Sequence, residues 1–395
     1  MAVSENQFKA PAESADAFAS DDISVSKNGF AVPLGDLRAV SIDSFRSAIT
    51  GSCRRGTRLV SLFLLPAEKG TAGELLAVLA DDKGGRLGLV RGMLPSSRSY
   101  ESLTKELPQA QLFERELYEN HGIVPEGHPW LKPVRRHADL EDPKKGSESA
   151  APPHEFFRVE GEGIHEVAVG PVHAGVIEPG HFRFQCYGET VLSLEIQLGY
   201  QHRGAEKLML SAPKRRIAIA ETIAGDTTMG HGIAYCQTME GLSGAKTSLY
   251  SQAVRAVALE LERCANHIGD LGALCGDVGH LPGLSWFGRL RGDFLNLSME
   301  LCGSRFGRGL VKPGGVRFGL SAEQRKEFLS RLAKAGADLK MIADLVFDTP
   351  SIGSRFERTG IVDKALAEEI GLVGPAARAS GCDRDVRRDH STCLF

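Results

Sequence analysis

Residues 254–268 read VRAVALELERCANHI, and their pattern predicts the architecture of the second half of the chain. Apolar side chains recur in it at intervals of three and four residues, which places them along one face of a helix. The charged residues Arg255, Glu262 and Arg263 fall on other faces. The pattern predicts a long helix at the centre of a domain. Its apolar positions are Val254, Val257, Ala258, Leu261, Ala265 and Ile268.

The segments on either side extend this domain. Downstream, residues 322–346 repeat the helical spacing, and Ser321 is a suitable N-cap. Upstream, residues 163–194 carry β-branched residues punctuated by glycine and proline, which is typical of a pair of strands. We therefore predict a second domain, residues 154–395, that is mainly α-helical with a short β-sheet at its start. The apolar stripe of the downstream helix consists of Phe328, Leu332, Leu339, Ile342 and Leu345.

The pattern of the N-terminal half predicts a smaller domain that mixes strands and helices. Alternating and apolar segments between residues 57 and 90 indicate strands of a small α/β domain over residues 29–136. Residues 137–153 are charged, then rich in glycine and serine, and end in two prolines, as linkers often do. Residues 1–28 are dominated by Ser, Ala, Asp and Glu, so we expect them to be disordered. The fold class of the whole chain is expected to be α+β.

The charge balance argues against a nucleic-acid partner, and the distribution of apolar residues argues against a membrane span and a signal peptide. The 395 residues include 47 Lys and Arg against 50 Asp and Glu, without a strongly basic block, so no nucleic acid partner is expected. The apolar run at residues 62–65 is far shorter than the ~20 residues that span a bilayer. The N-terminus also lacks the basic-then-apolar order of a signal peptide. We expect a cytoplasmic protein, and any membrane association would come through a partner.

The eight cysteines are scattered singly, with no Cys-x-x-Cys pair. Such spacing indicates neither a disulfide framework nor a thiolate metal site within the chain. We therefore expect reduced thiols and no tightly bound cofactor. The chain also lacks a Gly-x-Gly-x-x-Gly fingerprint, so NAD(H) is expected to act only through another subunit.

The segment 114–129 concentrates acidic, basic and aromatic residues and two histidines beside turn formers. The composition predicts a helix end that runs into a rigid loop. Two interpretations remain open: a surface that docks another subunit, or a turn in which these residues only cap and pack. The candidate docking residues are Glu114, Arg115, Glu116, Gly122, Gly127, His128 and Pro129.

This segment resembles the signature of the 30-kDa-type subunit of respiratory complex I and of the N-terminal domain of formate hydrogenlyase large subunits. In the second domain, residues 170–184 (GPVHAGVIEPGHFRF) and 199–207 (GYQHRGAEK) resemble the opening of the 49-kDa-type subunit and its hydrogenase relatives. Residues 288–294 (GRLRGDF) and 305–317 (RFGRGLVKPGGVR) resemble the same branch. The resemblance covers about residues 29–387.

The resemblance implies the large subunit of a complex-I-like or group 4 hydrogenase-like redox assembly, with 30-kDa-type and 49-kDa-type parts fused in one chain. It implies electron transfer beside an iron–sulfur cluster that a small partner subunit holds, with quinone as a candidate contact. Further partners would include a membrane arm, and the resemblance implies peripheral association with the inner face of the cytoplasmic membrane through the complex. In this family the segment 114–129 helps to dock subunits.

The sequence departs from the family where metals would bind. Nickel–iron members hold their metals with two Cys-x-x-Cys motifs, because soft thiolates suit low-valent nickel and iron. Here Ala224 and Thr227 stand where the two early cysteines would be. The late motif is not found before Phe395, so we expect a copy without the bimetallic centre, truncated at its C-terminus, a frameshift being one hypothesis. The tyrosine that binds quinone in the other branch falls at Gly225, which has no side-chain donor.

Two matched residues face a partner's cluster in the family. Arg203 and His267 match an arginine and a histidine beside the terminal iron–sulfur cluster. There, a cation and an imidazole would stabilise the reduced cluster and couple electron arrival to proton uptake. Spacing alone favours a satisfied core histidine at His267, whereas the resemblance favours the redox role.

Four further residues, Glu221, His231, His173 and His181, are candidates for catalytic proton handling in the former metal cavity. A plain structural hydrogen bond is the alternative for each of them. Two functional hypotheses follow for the chain: an electron-transfer subunit, or a non-catalytic scaffold that keeps the fold for assembly. Substitution of His267 or Arg203 separates them, because a scaffold would tolerate the change.

Overall fold

A computed structural model of the chain describes residues 16–66, 72–135, 155–173 and 178–392. The predicted linker, residues 137–153, lies outside the described residues, so its conformation stays a prediction.

The described residues fold into two compact units. Unit 1 takes its described residues from 1–28, 32–154 and 362–390, and unit 2 takes them from 29–31, 155–361 and 391–395. The segment 362–390 therefore packs in unit 1, although it follows the helical part of unit 2 in sequence.

Unit 1 is built on a sheet with helices packed against it. The main sheet has the order β1-β5-β4-β3 with antiparallel neighbours, and β2 pairs with β5 in parallel. A separate parallel pair joins β6 and β7. The strands predicted between residues 57 and 90 are confirmed. The elements are β1 (Ser24–Ser26), β2 (Ala39–Ser41), α1 (Ile42–Arg54), β3 (Arg58–Leu64), β4 (Glu74–Asp81), β5 (Arg86–Met93), β6 (Ser99–Glu101), α2 (Gln111–His121) and β7 (Val124–Glu126).

The residues before β2 correct one prediction. Composition assigned residues 1–28 to a disordered terminus, yet in the described part Phe18 and Ile23 are buried in the core of unit 1. Strand β1 extends the sheet along β5, where Gly88 leaves room for them, since a Cβ there would lie 2.6 Å from the Phe18 ring. Burial of two large apolar side chains is enough to fix a segment whose average composition is polar.

Unit 2 opens with a sheet and continues as a helical assembly. The sheet has the order β10-β9-β8 with antiparallel neighbours. The sequence predicted a pair of strands here, and β10 adds to it because a turn at Gly188, with φ of 56°, returns the chain. The elements are β8 (Ile164–Val172), β9 (Gly180–Tyr187), β10 (Thr190–Gln197), α3 (Ala205–Ser211), α4 (Arg216–Ala220), α5 (Thr228–Ser243), α6 (Leu249–Asp277), α7 (Leu281–Cys302), β11 (Val311–Lys312), β12 (Gly315–Val316), α8 (Ala322–Phe347) and α9 (Pro350–Phe356).

Helix α6 is the long central helix that the sequence predicted. Five of the six predicted apolar positions are buried in the core of unit 2. The sixth, Val257, is 38% exposed, so the buried stripe is narrower than the spacing suggested. Arg255, predicted on another face, is buried at 4% exposure because Glu240 of α5 neutralises its charge there.

Helix α8 confirms its predicted start. The Ser321 hydroxyl accepts a hydrogen bond from Gln324 N, and the Gln324 side chain accepts one from the Ser321 backbone N–H, which forms a capping box. Phe328 and Ile342 are buried, whereas Leu345 is 57% exposed. In the part of the chain that the structure describes, no helix has the length and apolar character to cross a bilayer.

The C-terminal segment of unit 1 contains α10 (Lys364–Glu369), α11 (Gly374–Ala379) and α12 (Val386–Asp389). It joins the N-terminal part of the same unit through Asp82. The Asp82 carboxylate accepts two hydrogen bonds from Arg58 Nε, at 2.9 and 3.2 Å, and lies 2.9 Å from Nε2 of the buried His390. Residues that are far apart in sequence thus share one carboxylate.

Candidate functional site in the loop before helix α5

The α4–α5 loop, residues 221–227, contains the positions at which the family's early cysteines would lie. Thr227 takes the N-cap position of α5 without a side-chain capping bond. Its backbone N–H donates to the carbonyl oxygen of Ala224 at 3.2 Å, so a tight turn brings the two positions together. The side chains offered at this turn are one methyl group and one neutral hydroxyl.

These residues do not fit a nickel–iron centre, because neither side chain supplies a thiolate. Among the described residues, no group of three or more His, Cys, Asp or Glu is arranged to hold a metal ion. The described cysteines are unpaired. Burial raises the pKa of Cys236 to about 11, which keeps that thiol protonated. No chemical step is therefore assigned to such a centre.

Two of the predicted proton-handling residues line this loop. Glu221 is buried, and its Oε1 accepts a hydrogen bond from Gly309 N at 2.9 Å. His231, in the first turn of α5, bonds through Nδ1 to the carbonyl oxygen of Thr227 at 3.0 Å. Both side chains thus hold the loop in shape.

The other two predicted histidines lie on the sheet of unit 2. His181 Nδ1 bonds to the carbonyl oxygen of Gly170 at 3.2 Å, and its Nε2 accepts from Arg183 Nε at 3.2 Å. Its ring also contacts Phe156 edge-on, with centroids 5.4 Å apart. His173 is exposed just after β8. Within the described residues, the bonds of His181 are made with the sheet and its flank rather than with the α4–α5 loop.

Backbone carbonyls of the loop are held from two directions. The Arg203 guanidinium donates to the carbonyl oxygens of Thr222 and Ile223, the latter at 2.7 Å. From helix α6, Asn266 Nδ2 donates to the carbonyl oxygen of Asp226 at 2.9 Å. The arginine singled out in the sequence therefore fixes the segment that leads into Ala224.

Glu262 of helix α6 binds the first turn of α5, directly after the loop. Its Oε2 accepts from Met229 N at 2.6 Å and its Oε1 from Gly230 N at 3.0 Å, so it satisfies free N–H groups of the first turn of α5. Burial raises the pKa of Glu262 to about 7, although the two hydrogen bonds oppose the rise, and Asp226 adds to it. A carboxyl group that gains and loses a proton near neutral pH thus borders the loop.

His267 belongs to a group of charges beside the same loop. Asp226 Oδ1 accepts from Arg291 Nη2 at 3.1 Å. Burial raises the pKa of Asp270, His267 opposes that rise, and Asp226 adds to it. The structure therefore brings Arg203, Asp226 and Arg291 to one loop, and His267 interacts electrostatically with Asp270, which Asp226 also affects.

The sequence reasoning missed Glu262, Asn266 and Asp270 as site residues. A signal was present, because the three recur at intervals of four, and such residues follow one another along one side of a helix. Glu262 was placed only on a non-apolar face, since periodicity does not reveal that the N-terminus of another helix faces it.

The segment 114–129 of unit 1 makes extensive internal bonds. Glu114 is fully buried and accepts four hydrogen bonds, from the Ser102 hydroxyl, from Leu103 N, and from both the backbone N–H and the hydroxyl of Thr104, at 2.6 to 3.1 Å. Arg115 donates to the carbonyl oxygen of Lys132 at 2.6 Å. These two residues act as internal clamps within unit 1.

Other residues of this segment lie nearer to solvent. Glu116 pairs with Arg135. Gly122 ends α2 in the left-handed conformation, with φ of 65°. His128 Nδ1 accepts from Trp130 N at 3.1 Å, and burial lowers the pKa of His128. Gly127 and Pro129 are exposed, and Trp130 is 47% exposed, so the docking interpretation stays a prediction for this end of the segment.

Two family models match the chain. The 30-kDa subunit of respiratory-chain NADH dehydrogenase matches residues 78–147, and the 49-kDa subunit of the same enzyme matches residues 277–395. The chain therefore joins a 30-kDa-type segment to a 49-kDa-type segment, and the predicted family resemblance and α+β fold are confirmed.

The particular relatives come from hydrogenases and NADH-quinone oxidoreductases. Formate hydrogenlyase subunit 5 of Escherichia coli (strain K12) is 29% identical over 79% of this chain and 58% of its own length. The membrane-bound hydrogenase subunit alpha of Pyrococcus furiosus is 29% identical over 56% of this chain and 52% of its own length. The C/D polypeptide of NADH-quinone oxidoreductase from Bdellovibrio bacteriovorus is 26% identical over 73% and 55%, respectively. The chain thus spans little more than half the length of these relatives.

A solved structure shows a similar fold. It is a chain of the membrane-bound sulfane sulfur reductase, an archaeal respiratory membrane complex, with a TM-score of 0.55 and 25% identity. The match covers 59% of this chain and 63% of that chain.

Proposed function

We propose that this chain is a subunit of a complex-I-like or hydrogenase-like membrane-associated oxidoreductase. It acts in electron transfer beside an iron–sulfur cluster of a partner subunit and holds no nickel–iron site of its own. The observation that carries the proposal is the α4–α5 loop, which lacks thiolates at Ala224 and Thr227 but keeps its anchors, Arg203 and Asn266. Its relatives are named as subunits of such oxidoreductases.

The role proposed for Arg203 and His267 is electrostatic. A cation and an imidazole next to a partner's cluster would favour its reduced, more negative form. His267 lies within the field of Asp270, and Glu262 and Asp226 border the same loop. Proton uptake by Glu262, whose pKa is about 7, would offset the charge of an arriving electron.

The cofactors and partners follow from this role. The iron–sulfur cluster would belong to a small partner subunit, and NAD(H) would act only through another subunit. A quinone would have to bind without a tyrosine phenol at Gly225. The chain would lie at the cytoplasmic side of the inner membrane and attach through a membrane arm.

The test replaces His267 by Gln in the assembled native complex and measures electron flux together with the reduction potential of the partner cluster. We expect flux to fall about tenfold, the lower end of what loss of a neighbour of a metal site costs. The cluster potential should also fall, because the imidazole that favours the reduced cluster is lost. Lys207→Ala, at an exposed position on α3, serves as the control and should change neither quantity.

A scaffold without redox function is the second candidate. It is favoured by the bonds of Glu221, His231 and His181, all of which are structural. If His267→Gln and Arg203→Gln leave both flux and cluster potential unchanged while the complex assembles, the scaffold role holds. Stoichiometric nickel in the purified complex, bound by this chain, would contradict the absence of a bimetallic centre.

A further inference from the structure

A cavity of about 310 Å³ lies in unit 2 at the C-terminal end of α5, away from the loop at its N-terminal end. Helix α5 has 16 residues and is therefore about 24 Å long. The walls come from α5, from the start of α6 and from residues 29–31. Gly241 allows this close packing, because a Cβ there would lie only 2.7 Å from the carbonyl oxygen of Gly29. The volume is within the range of small-molecule pockets, at its lower end.

Arg255 lines this cavity and is 4% exposed. Its Nη atoms donate to both carboxylate oxygens of Glu240, at 2.7 and 3.0 Å, and to the carbonyl oxygens of Lys312 and Gly315, at 2.8 and 3.0 Å. Its Nε–H, in contrast, is buried and has no acceptor among the described residues. Buried donors of this kind are nearly always paired, so this one calls for an acceptor.

A second polar group lines the same cavity. The carboxamide of Gln237 has no partner within the described residues, and it offers both a donor and an acceptor. Ile233, Ala256 and the exposed ring of Phe30 supply apolar surface beside it. The cavity therefore combines the unpaired N–H of Arg255, the amide of Gln237, the buried hydroxyl of Thr247 and an apolar wall.

The charges that line the cavity favour an uncharged ligand over an anion or a cation. Glu240 already neutralises Arg255, and Glu240 also accepts from Gly314 N at 2.7 Å. An anionic ligand would add a second negative charge beside the Glu240 carboxylate, and a cation would meet the guanidinium. An uncharged group gains the hydrogen bonds without either cost.

We propose that this cavity binds a small, uncharged carboxamide attached to an apolar ring. The carbonyl oxygen accepts from Arg255 Nε–H, the amide pairs with Gln237, and the ring lies against Phe30 and Ala256. The site is distinct from the α4–α5 loop and needs no partner subunit or cluster.

The test uses ligand-observed ¹⁹F NMR on the purified full chain with 4-fluorobenzamide as the probe. Fluorobenzene, which lacks the amide, and 4-fluorobenzoate, which carries a charge, serve as comparison ligands. We expect 4-fluorobenzamide to bind at least about tenfold more tightly than either, which corresponds to about 1.4 kcal/mol. Gln237→Leu should reduce that preference to about threefold or less.

Ala256→Leu fills the cavity without touching the ion pair, and it should weaken binding of 4-fluorobenzamide at least about tenfold. The matched control is Ala253→Leu, a position on the same helix that does not line the cavity, and it should bind as the wild type does. Equal melting temperatures show that both variants fold. No binding at millimolar probe, equal binding of all three ligands, or unchanged binding by Ala256→Leu would each overturn the proposal and leave a buried water as the acceptor. None of these measurements depends on electron transfer, so this result is independent of the proposed function.

Discussion

The two ends of helix α5 each contact a glutamate, and the pKa values of the two glutamates shift in opposite directions. At the C-terminal end, Glu240 faces the guanidinium of Arg255. Burial alone would raise the pKa of Glu240, but the hydrogen bonds from Arg255 and from Gly314 N outweigh it and hold the pKa below its usual value. At the N-terminal end, Glu262 accepts two backbone N–H bonds and has Asp226 nearby, and its pKa rises to about 7.

The difference shows what decides the state of a buried carboxylate. Both groups accept short hydrogen bonds, so hydrogen bonding alone does not distinguish them. The charged neighbours differ: the Arg255 cation lowers the pKa of Glu240, whereas the Asp226 carboxylate raises that of Glu262. The end with the cation is a permanent structural joint, and the other end can exchange a proton near neutral pH.

The largest loss of stability should follow from breaking the ion pair between Glu240 and Arg255. Arg255→Met leaves the Glu240 charge buried without its partner and frees the carbonyl oxygens of Lys312 and Gly315. We expect unit 2 to lose about 3–5 kcal/mol of stability. Chemical unfolding followed by amide exchange in α5 and α6 measures unit 2 alone.

The double variant Arg255→Met, Glu240→Leu is the control for this effect. It removes both charges, so most of the lost stability should return. A double variant as unstable as Arg255→Met would mean that the guanidinium acts through its carbonyl contacts instead of through Glu240.

Glu114 of unit 1 is a third case, because it is fully buried and has four neutral donors as partners. Glu114→Gln would turn an amide N–H₂ toward one of these donors. We expect a loss of about 2 kcal/mol, mainly the cost of the mismatched donor. Measuring the unfolding free energy of unit 1 by chemical denaturation tests this expectation. Glu116→Gln, on the same helix and more exposed, should cost much less.

Stability should depend on pH through Glu262. Its folded pKa of about 7 exceeds the ordinary value of 4.5, so the folded chain holds a proton that the unfolded chain releases. The stabilisation is complete below about pH 4.5 and is lost as pH rises through 7. The loss should reach at most about 2 kcal/mol once solvent screening is allowed for.

Thermal melts of the wild type and of Glu262→Gln between pH 5 and pH 8 test this expectation. The variant cannot titrate, so its melting temperature should decline less over this interval. Parallel curves for the two proteins would show that Glu262 keeps an ordinary pKa and that the two ends of α5 are alike.

The smallest effect concerns the anchor of the α4–α5 loop. Asn266→Ala removes the hydrogen bond to the carbonyl oxygen of Asp226, which lies in an exposed segment where water can replace it. We expect a loss of about 1 kcal/mol or less, measured by chemical unfolding. A loss of stability as large as that of Arg255→Met would show that this hydrogen bond is essential to the packing of unit 2.

Much of the architecture was accessible from local sequence. The spacing in residues 254–268 predicted α6, Ser321 predicted the start of α8, and the family motifs predicted the order of the 30-kDa-type and 49-kDa-type segments. Periodicity succeeds there because a helix repeats its faces over many residues. It failed at Phe18 and Ile23, where two isolated apolar residues were enough to order a polar segment.

Within the candidate site, the residue types follow from the sequence, whereas the packing of neighbouring elements sets the pKa and the hydrogen-bond partners of each group. The absence of thiolates at Ala224 and Thr227 is a property of the residues themselves, and no folding changes it. The environments of Glu240, Glu262 and Arg255 depend on neighbours from other elements. A charge interacts with whatever lies within a few ångströms of it, and only the packed structure sets that neighbourhood.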